Sequence, residues 1–134
     1  MKEEINEILR KDEGFFKKNH YQLEEAREDK IILKAPITNE CKNLYGICHG
    51  GFIFGLGDHA MGILSSMDRR KSVTLNANIN FISPGDGDYL LAEAEIIKRG
   101  KKTCFLKANI YNNDKNLVAT MDSTYYYIEE KKEG

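Results

Sequence analysis

The sequence predicts an α+β fold in which an antiparallel β-sheet is covered by one long central α-helix, and three observations carry that prediction. Asn43 to Met67, NLYGICHGGFIFGLGDHAMGILSSM, is the long segment whose apolar residues recur at helical spacing. Four runs of alternating residues follow it, joined by short turn-forming clusters, and short connections between consecutive strands make a sheet antiparallel. A sheet with one apolar face needs a cover, and this helix is the candidate long enough to supply it.

With 134 residues the expectation is a single domain spanning 1–134, large enough to bury roughly two-thirds of its unfolded surface. A hydrophobic content of 41% and a formal net charge of -1 give no reason to expect a nucleic-acid partner. The cysteines Cys41, Cys48 and Cys104 are odd in number and lack a framework spacing, which points to a reducing, cytoplasmic compartment. MKEEINEILRKDEGFF is too charged for a secretory signal. The longest apolar run, Phe52 to Met67, is shorter than a membrane span and is interrupted by Asp58 and His59, so no membrane association is expected.

Taken in order, Ile5, Ile8, Leu9, Phe15 and Phe16 give a weak amphipathic pattern, predicting a short helix over about 2–16 with Gly14 as its stop. His20 to Arg27 and Lys30 to Ala35 alternate loosely around Glu28 and Asp29, as a hairpin ended by Pro36. Ile37 to Cys48 carries no periodicity, and a loop of this length in a small domain is more often functional than idle. The central helix is expected over about 51–67. In Ser72 to Phe81, Val73, Leu75, Ala77, Ile79 and Phe81 alternate with polar residues, predicting a half-buried strand. Ser83 to Asp88 is a turn cluster; Leu90, Ala92, Ala94 and Ile96 mark the next strand, and Arg99-Gly100-Lys101 the next reversal. Cys104, Leu106, Ala108 and Ile110 mark another, a polar turn follows at Asn112 to Asn116, and a last strand runs from Leu117 to about Ile128. The tail, Glu129 to Gly134, is expected to fray.

On a helical wheel, Phe52, Ile53, Leu56, Ala60, Ile63, Leu64 and Met67 form the stripe that would lie on the sheet. Another face holds Gly51, Gly55, Asp58, Gly62 and Ser65, small in every member except the acid. Glycine inside a helix costs about 1 kcal/mol relative to alanine, so several on one face imply close approach by a ligand or a second helix. A merely solvated face would be lined by Lys, Glu and Arg.

His49-Gly50-Gly51 precedes the helix, where the first amides have no intrahelical acceptor and the helix dipole favours negative charge. They could hold an anion or a developing oxyanion, although on the tripeptide alone the reading as an ordinary loop-to-helix junction with His49 as polar cap prevails. No metal is expected: no ligand pair has zinc-finger spacing, and Asp58 and His59 point about 100 degrees apart. His59 has no evident partner in sequence, and Cys48 reads as a packed thiol. GFIFGLGD lacks the lysine and serine of a phosphate-binding loop. Lys98 to Lys102 is a solvated hairpin tip or a set of point charges for a nucleotide's phosphates. Phe15 with Phe16, and Tyr125 to Tyr127, read as core and sheet surface.

Asn43-Leu44-Tyr45-Gly46-Ile47-Cys48-His49-Gly50-Gly51 followed by Asp58 resembles the signature of the hotdog-fold acyl-CoA thioesterases of the phenylacetyl-CoA (PaaI-like) type. The similarity extends through Thr74 to Phe81, Ser83-Pro84, the Lys98 to Lys102 turn and Leu117-Val118-Ala119. The resemblance implies a hotdog fold, an antiparallel β-sheet wrapped around one long central α-helix, with homodimers that often pair into tetramers, and hydrolysis of a thioester to a carboxylate and free coenzyme A. It implies that Asp58 is the catalytic carboxylate and that Gly50 gives the oxyanion N–H. Asn43 and His49 would order the loop or the attacking water, and Thr74 would lie near that water. Gly51, Phe81, Ser83, Arg99, Gly100 and Lys101 would contact the substrate. No cofactor is implied beyond the coenzyme A of the substrate itself. A histidine directly after the acid departs from the family pattern.

Under that resemblance, spacing adds one constraint. Eight residues of helix separate Gly50 from Asp58 by about 12 Å along the axis, too far for one thioester. Two antiparallel helices related by a two-fold axis would bring Gly50 of one subunit towards Asp58 of the other, with the small-residue face between them. Two alternatives stay open at this point: a non-catalytic acyl-CoA-binding or sensing module, and a hotdog-fold dehydratase pairing His49 with Asp58.

Overall fold

In the computed structural model, which describes residues 2–128, the chain runs α1 (Lys2–Lys11), α2 (Phe15–Lys18), β1 (Gln22–Arg27), β2 (Lys30–Pro36), α3 (Gly50–Ser65), β3 (Ser72–Phe81), β4 (Tyr89–Arg99), β5 (Thr103–Asn112) and β6 (Leu117–Tyr127). The tail expected to fray, Glu129 to Gly134, lies outside the described residues. The helix predicted over about 2–16 is two helices. Gly14 is not its stop but the residue before α2, with non-helical φ -82° and ψ -95°, and its carbonyl accepts from the Lys18 amide at 2.9 Å.

The six strands form one antiparallel sheet in the order β1-β2-β4-β5-β6-β3, a hotdog fold with α3 lying against β2 to β6. Alternation explains the inner face. Ile31, Leu33 and Ala35 of β2, Leu90, Ala92 and Ala94 of β4, and Cys104, Leu106, Ala108 and Ile110 of β5 are all buried against Leu56, Ala60, Met61 and Leu64 of the helix. Alanines at these inward positions leave room for a helix laid across the strands. At Gly57 the approach is closest, because a Cβ there would overlap Met121 Sδ and come within 3.1 Å of Ile110 Cδ1.

Two features of β3 differ from the alternation reading. Ser83 to Asp88 is not a hairpin turn: β3 pairs with β6 at one edge, and the chain then crosses to β4 between β2 and β5. Specific bonds hold that crossing. Ser83 Oγ donates to Leu117 O at 2.7 Å, Cys48 N to Gly85 O at 2.9 Å, and Asn112 Nδ2 to Asp86 Oδ1 at 3.0 Å.

The second difference is a register shift between Thr74 and Asn76 that leaves Leu75 unpaired. Beyond it, Ala77, Ile79 and Phe81 face the inward residues Ser123, Met121 and Ala119; before it, Thr74 and Ser72 face Tyr125 and Tyr127. One extra residue thus reverses the pleat. Thr74, which plain alternation would put with Asn76 and Asn78, is turned inward. Val73 and Leu75 stand out at 48% and 64% exposure, so β3 is less buried than its pattern predicts.

Candidate active site

The loop before α3 is ordered by its own side chains. Asn43 Oδ1 accepts from the amides of Tyr45 (2.9 Å) and Ile47 (3.3 Å), and the Asn43 amide donates to Ile47 O at 2.7 Å. This closed turn leaves Leu44 and Tyr45 exposed and delivers the chain to His49. His49 caps the helix: its Nδ1 accepts from the Gly51 amide at 2.9 Å. The neighbouring Gly50 amide meets no acceptor among the described residues, as expected of a first-turn N–H. Phe81 lies over Gly50, its Cζ 3.1 Å from where a Cβ would be. Asn43, Gly50, Phe81 and Ser83 line a common cavity of about 380 Å³.

Asp58 is half-buried two turns along α3. Its Oδ1 accepts from Thr74 Oγ1 at 3.0 Å and from the phenol of Tyr125, which also lies 2.6 Å from the Asp58 carbonyl. Thr74 and Tyr125 are cross-strand partners, so the bulge at Leu75 is what lets both reach one oxygen. Burial, then the charge of Asp58, push the Tyr125 phenol well above its usual pKa, so it remains a proton donor. Among the described residues no donor reaches Asp58 Oδ2.

The expected site residues therefore fall into separate groups. Asn43, His49, Gly50, Gly51, Phe81 and Ser83 gather at the N-terminus of α3, while Asp58 and Thr74 meet midway. Ser83 and His49 spend the bonds described above on the crossing and the helix cap. Arg99, expected to contact the substrate, directs its guanidinium to the helix instead. It caps the far end of α3, donating to Ser65 O at 2.7 Å, Leu64 O at 3.0 Å and Tyr127 Oη at 2.7 Å, with Asp68 at 3.2 Å. The helix dipole explains the placement, since a cation suits the unsatisfied carbonyls of a helix C-terminus. Gly100 O and Lys101 O accept from Arg70, and the side chains of Lys98, Lys101 and Lys102 are the parts of the turn exposed to solvent. That end lies about 22 Å from Gly50 along the axis, given 1.5 Å of rise per residue.

The small-residue face is not bare. Phe15 Cζ and Tyr21 Oη come within 3.2 and 3.8 Å of a Cβ placed on Gly55, and the Tyr125 ring within 3.4 Å of one on Gly62. The chain's own aromatics therefore occupy much of the face expected to meet a second helix. His59, without a partner in sequence, bonds Asp12 through Nε2 at 2.5 Å and sits among Phe15, Phe16 and Tyr21, pinning the N-terminal segment to α3. Cys41, Cys48 and Cys104 are free and buried, and burial pushes the Cys48 thiol up to about 12, unsuited to a nucleophile. Among the described residues no three His, Cys, Asp or Glu side chains gather as metal ligands, and no helix is long and apolar enough to cross a membrane.

Tyr125 is the site residue that motif reading passes over. Its inward parity with Met121 and Ser123 was available as a signal, but a tyrosine run on a strand reads first as sheet surface.

The Thioesterase superfamily model matches residues 45–119, more than half of the chain and all of the segment from the helix cap through β5. The chain belongs to the thioesterase superfamily. The thioesterase is similar to the acyl-coenzyme A thioesterase PaaI of Escherichia coli K12, at 28% identity over 114 residues, covering 84% of this chain and 71% of that one. The solved E. coli PaaI structure, from the phenylacetic acid degradation operon, superposes with a TM-score of 0.88 over 94% of this chain and 92% of that chain, at 24% identity. A Streptococcus pneumoniae TIGR4 thioesterase protein solved with coenzyme A superposes at 0.78, with 26% identity and 84% and 91% coverage. The thioesterase is thus a PaaI-like thioester hydrolase.

Proposed function

We propose that this thioesterase hydrolyses acyl-CoA to a free carboxylic acid and coenzyme A, in composite sites of a homodimer. The observation that carries the reading is a carboxylate that, among the described residues, has both donors on Oδ1 and Oδ2 open, on the helix whose first amide, Gly50, meets no acceptor among those residues. The relatives named for acyl-CoA hydrolysis and solved with coenzyme A support the substrate class. Water attacks the carbonyl carbon while its proton passes to Asp58, and the Gly50 amide holds the tetrahedral oxyanion. The C–S bond then breaks, and the departing thiolate takes the proton back from Asp58. In the competing covalent route, Asp58 Oδ2 attacks first, expels the thiolate and forms an anhydride that water cleaves. A single turnover in ¹⁸O-water tests the two, because water opening the anhydride at the Asp58 carbonyl leaves the label in Asp58, whereas direct attack on the thioester puts all of it in the product acid.

The 12 Å between Gly50 and Asp58, estimated from helical rise, exceeds what one thioester spans, so each site takes Gly50 from one subunit and Asp58 from its partner. The unpaired edge of β3, with Val73 and Leu75 exposed, supports pairing of two copies there. Phe105 and Tyr126, exposed on strands β5 and β6, supply an apolar surface on which two dimers would pair into a tetramer. Lys101, exposed beside Lys98 and Lys102, is an open cation for a coenzyme A phosphate, and three free cysteines accord with action in the cytoplasm. A dehydratase would need a histidine beside the acid, whereas His49 caps α3 and His59 is bonded to Asp12.

Thiol release from short, medium and aromatic acyl-CoAs tests the activity. Asp58→Asn should abolish turnover while retaining coenzyme A binding, and full activity in that variant would refute the assignment. Co-expressed Asp58→Asn and Gly50→Val chains should recover one working site per heterodimer; no recovery would exclude the shared site.

A further inference from the structure

We propose that Tyr125 is a positioning residue of the reaction: its phenol locks Asp58 through Oδ1, so that Oδ2 is the oxygen that takes the proton or attacks. The inference rests on the hydrolase reading above. Three observations converge on it.

The phenol lies within bonding range of both Asp58 Oδ1 and the Asp58 main-chain carbonyl. A donor shared between the side chain and backbone of one residue fixes that side chain's rotamer, which a contact to the carboxylate alone would not. Thr74 donates to the same oxygen, so the two donors select Oδ1 and leave Oδ2 as the accepting atom.

Tyr125 is itself held rigidly. It is 3% exposed, pairs with Thr74 on one side and Cys104 on the other, and its ring lies directly against the helix backbone at Gly62. The glycine at 62 thereby gains a reason within one chain: it lets a ring from the sheet pass under α3 and reach the acid one turn earlier. No comparable role falls to the neighbouring phenols. Tyr127 Oη is bonded to Arg99 and Ser65 O, and Tyr126 is exposed.

Positioning acts after binding, so it belongs in kcat rather than KM. A hydrogen bond to a charged group corresponds to about a ten- to hundredfold effect, and Tyr125→Phe should lose that much kcat with KM held within about twofold. Because the ring is also core, 4-aminophenylalanine at position 125 is measured alongside. It keeps the ring and offers a weaker donor, so its kcat should fall between those of Tyr and Phe, and it preserves the comparison if the Phe variant does not fold. Tyr126→Phe serves as control and should match the parent. A kcat that follows donor strength at constant KM supports the inference. Equal kcat in all variants, with Asp58→Asn inactive, overturns it while the hydrolase reading stands. A parent protein that releases thiol from no acyl-CoA overturns the hydrolase reading and this inference with it.

Discussion

Arg99 separates two accounts of the basic turn, because a phosphate-binding arginine and a helix-capping arginine fail differently. In Arg99→Met the aliphatic stem remains and the guanidinium is lost, removing donors to Leu64 O, Ser65 O and Tyr127 Oη and the ion pair with Asp68. Ser65 O keeps one donor, the Tyr127 hydroxyl at 3.1 Å, so only part of the helix end is orphaned. About a quarter of the Arg99 side chain is solvent-exposed, which discounts the charge term. A cost of about 2–4 kcal/mol follows for losing a partly buried cationic cap at a helix C-terminus. Unfolding entropy near 2.1 cal/mol/K per residue converts that into a fall in Tm of about 7–14 °C. Differential scanning calorimetry at fixed protein concentration measures the fall, and steady-state kinetics should give KM for acyl-CoA within about twofold of the parent. An unchanged Tm with a KM raised tenfold or more would show that the guanidinium serves the ligand and that the capping argument is wrong.

The N-terminal segment offers a second test. Asp12→Asn removes the charge from a largely buried bond to His59, and a loss of about 1–2 kcal/mol is expected as a lower urea midpoint; an unmoved midpoint means the segment is held by its aromatics alone. Alkaline pH gives a third. The folded Cys48 thiol, pushed to about 12 by burial from its ordinary 9.0, holds its proton more tightly than the unfolded chain does. The stability this contributes is complete below pH 9 and is lost as pH rises towards 12. Urea midpoints from about pH 8 to 11 should therefore fall more steeply in the parent than in Cys48→Ala, and identical slopes would contradict the assignment.

Much of the fold was legible because alternation and helical periodicity are local properties. The strands from Tyr89 to Tyr127, the helix from Gly50 and the cap at His49 all follow from spacing within a few residues. The local order of the loop before α3 was legible for the same reason, since Asn43 and His49 bond neighbours in the chain. What escaped depends on contacts distant in sequence. The Asp12–His59 bond spans 47 residues, and Arg99 meets the end of α3 from 34 residues away. The bulge at Leu75 escaped for a subtler reason: apolar and polar residues alternate through Ser72 to Phe81 whether or not one is unpaired, so the pattern could not reveal which side of the sheet Thr74 faces.

That bulge ties Asp58, the proposed catalytic acid, to the proposed dimer. Turning Thr74 inward gives Asp58 a donor, and the same reversal turns Val73 and Leu75 outward along the unpaired edge. β3 pairs with β6 alone among the described strands, so its position, and with it the Thr74 to Asp58 distance, is restrained from one side in a single chain. A second copy pairing on the open edge would restrain it from the other. Dimerisation on this account does more than bring Gly50 of one subunit to Asp58 of its partner. It stiffens the strand that carries Thr74, so a monomer should hold the Thr74 bond to Asp58 less firmly as well as lack the partner's Gly50 amide. Adding back an oxyanion donor alone would then restore little. One inserted residue thus shapes both the open edge of the sheet and the hydrogen bonding of Asp58.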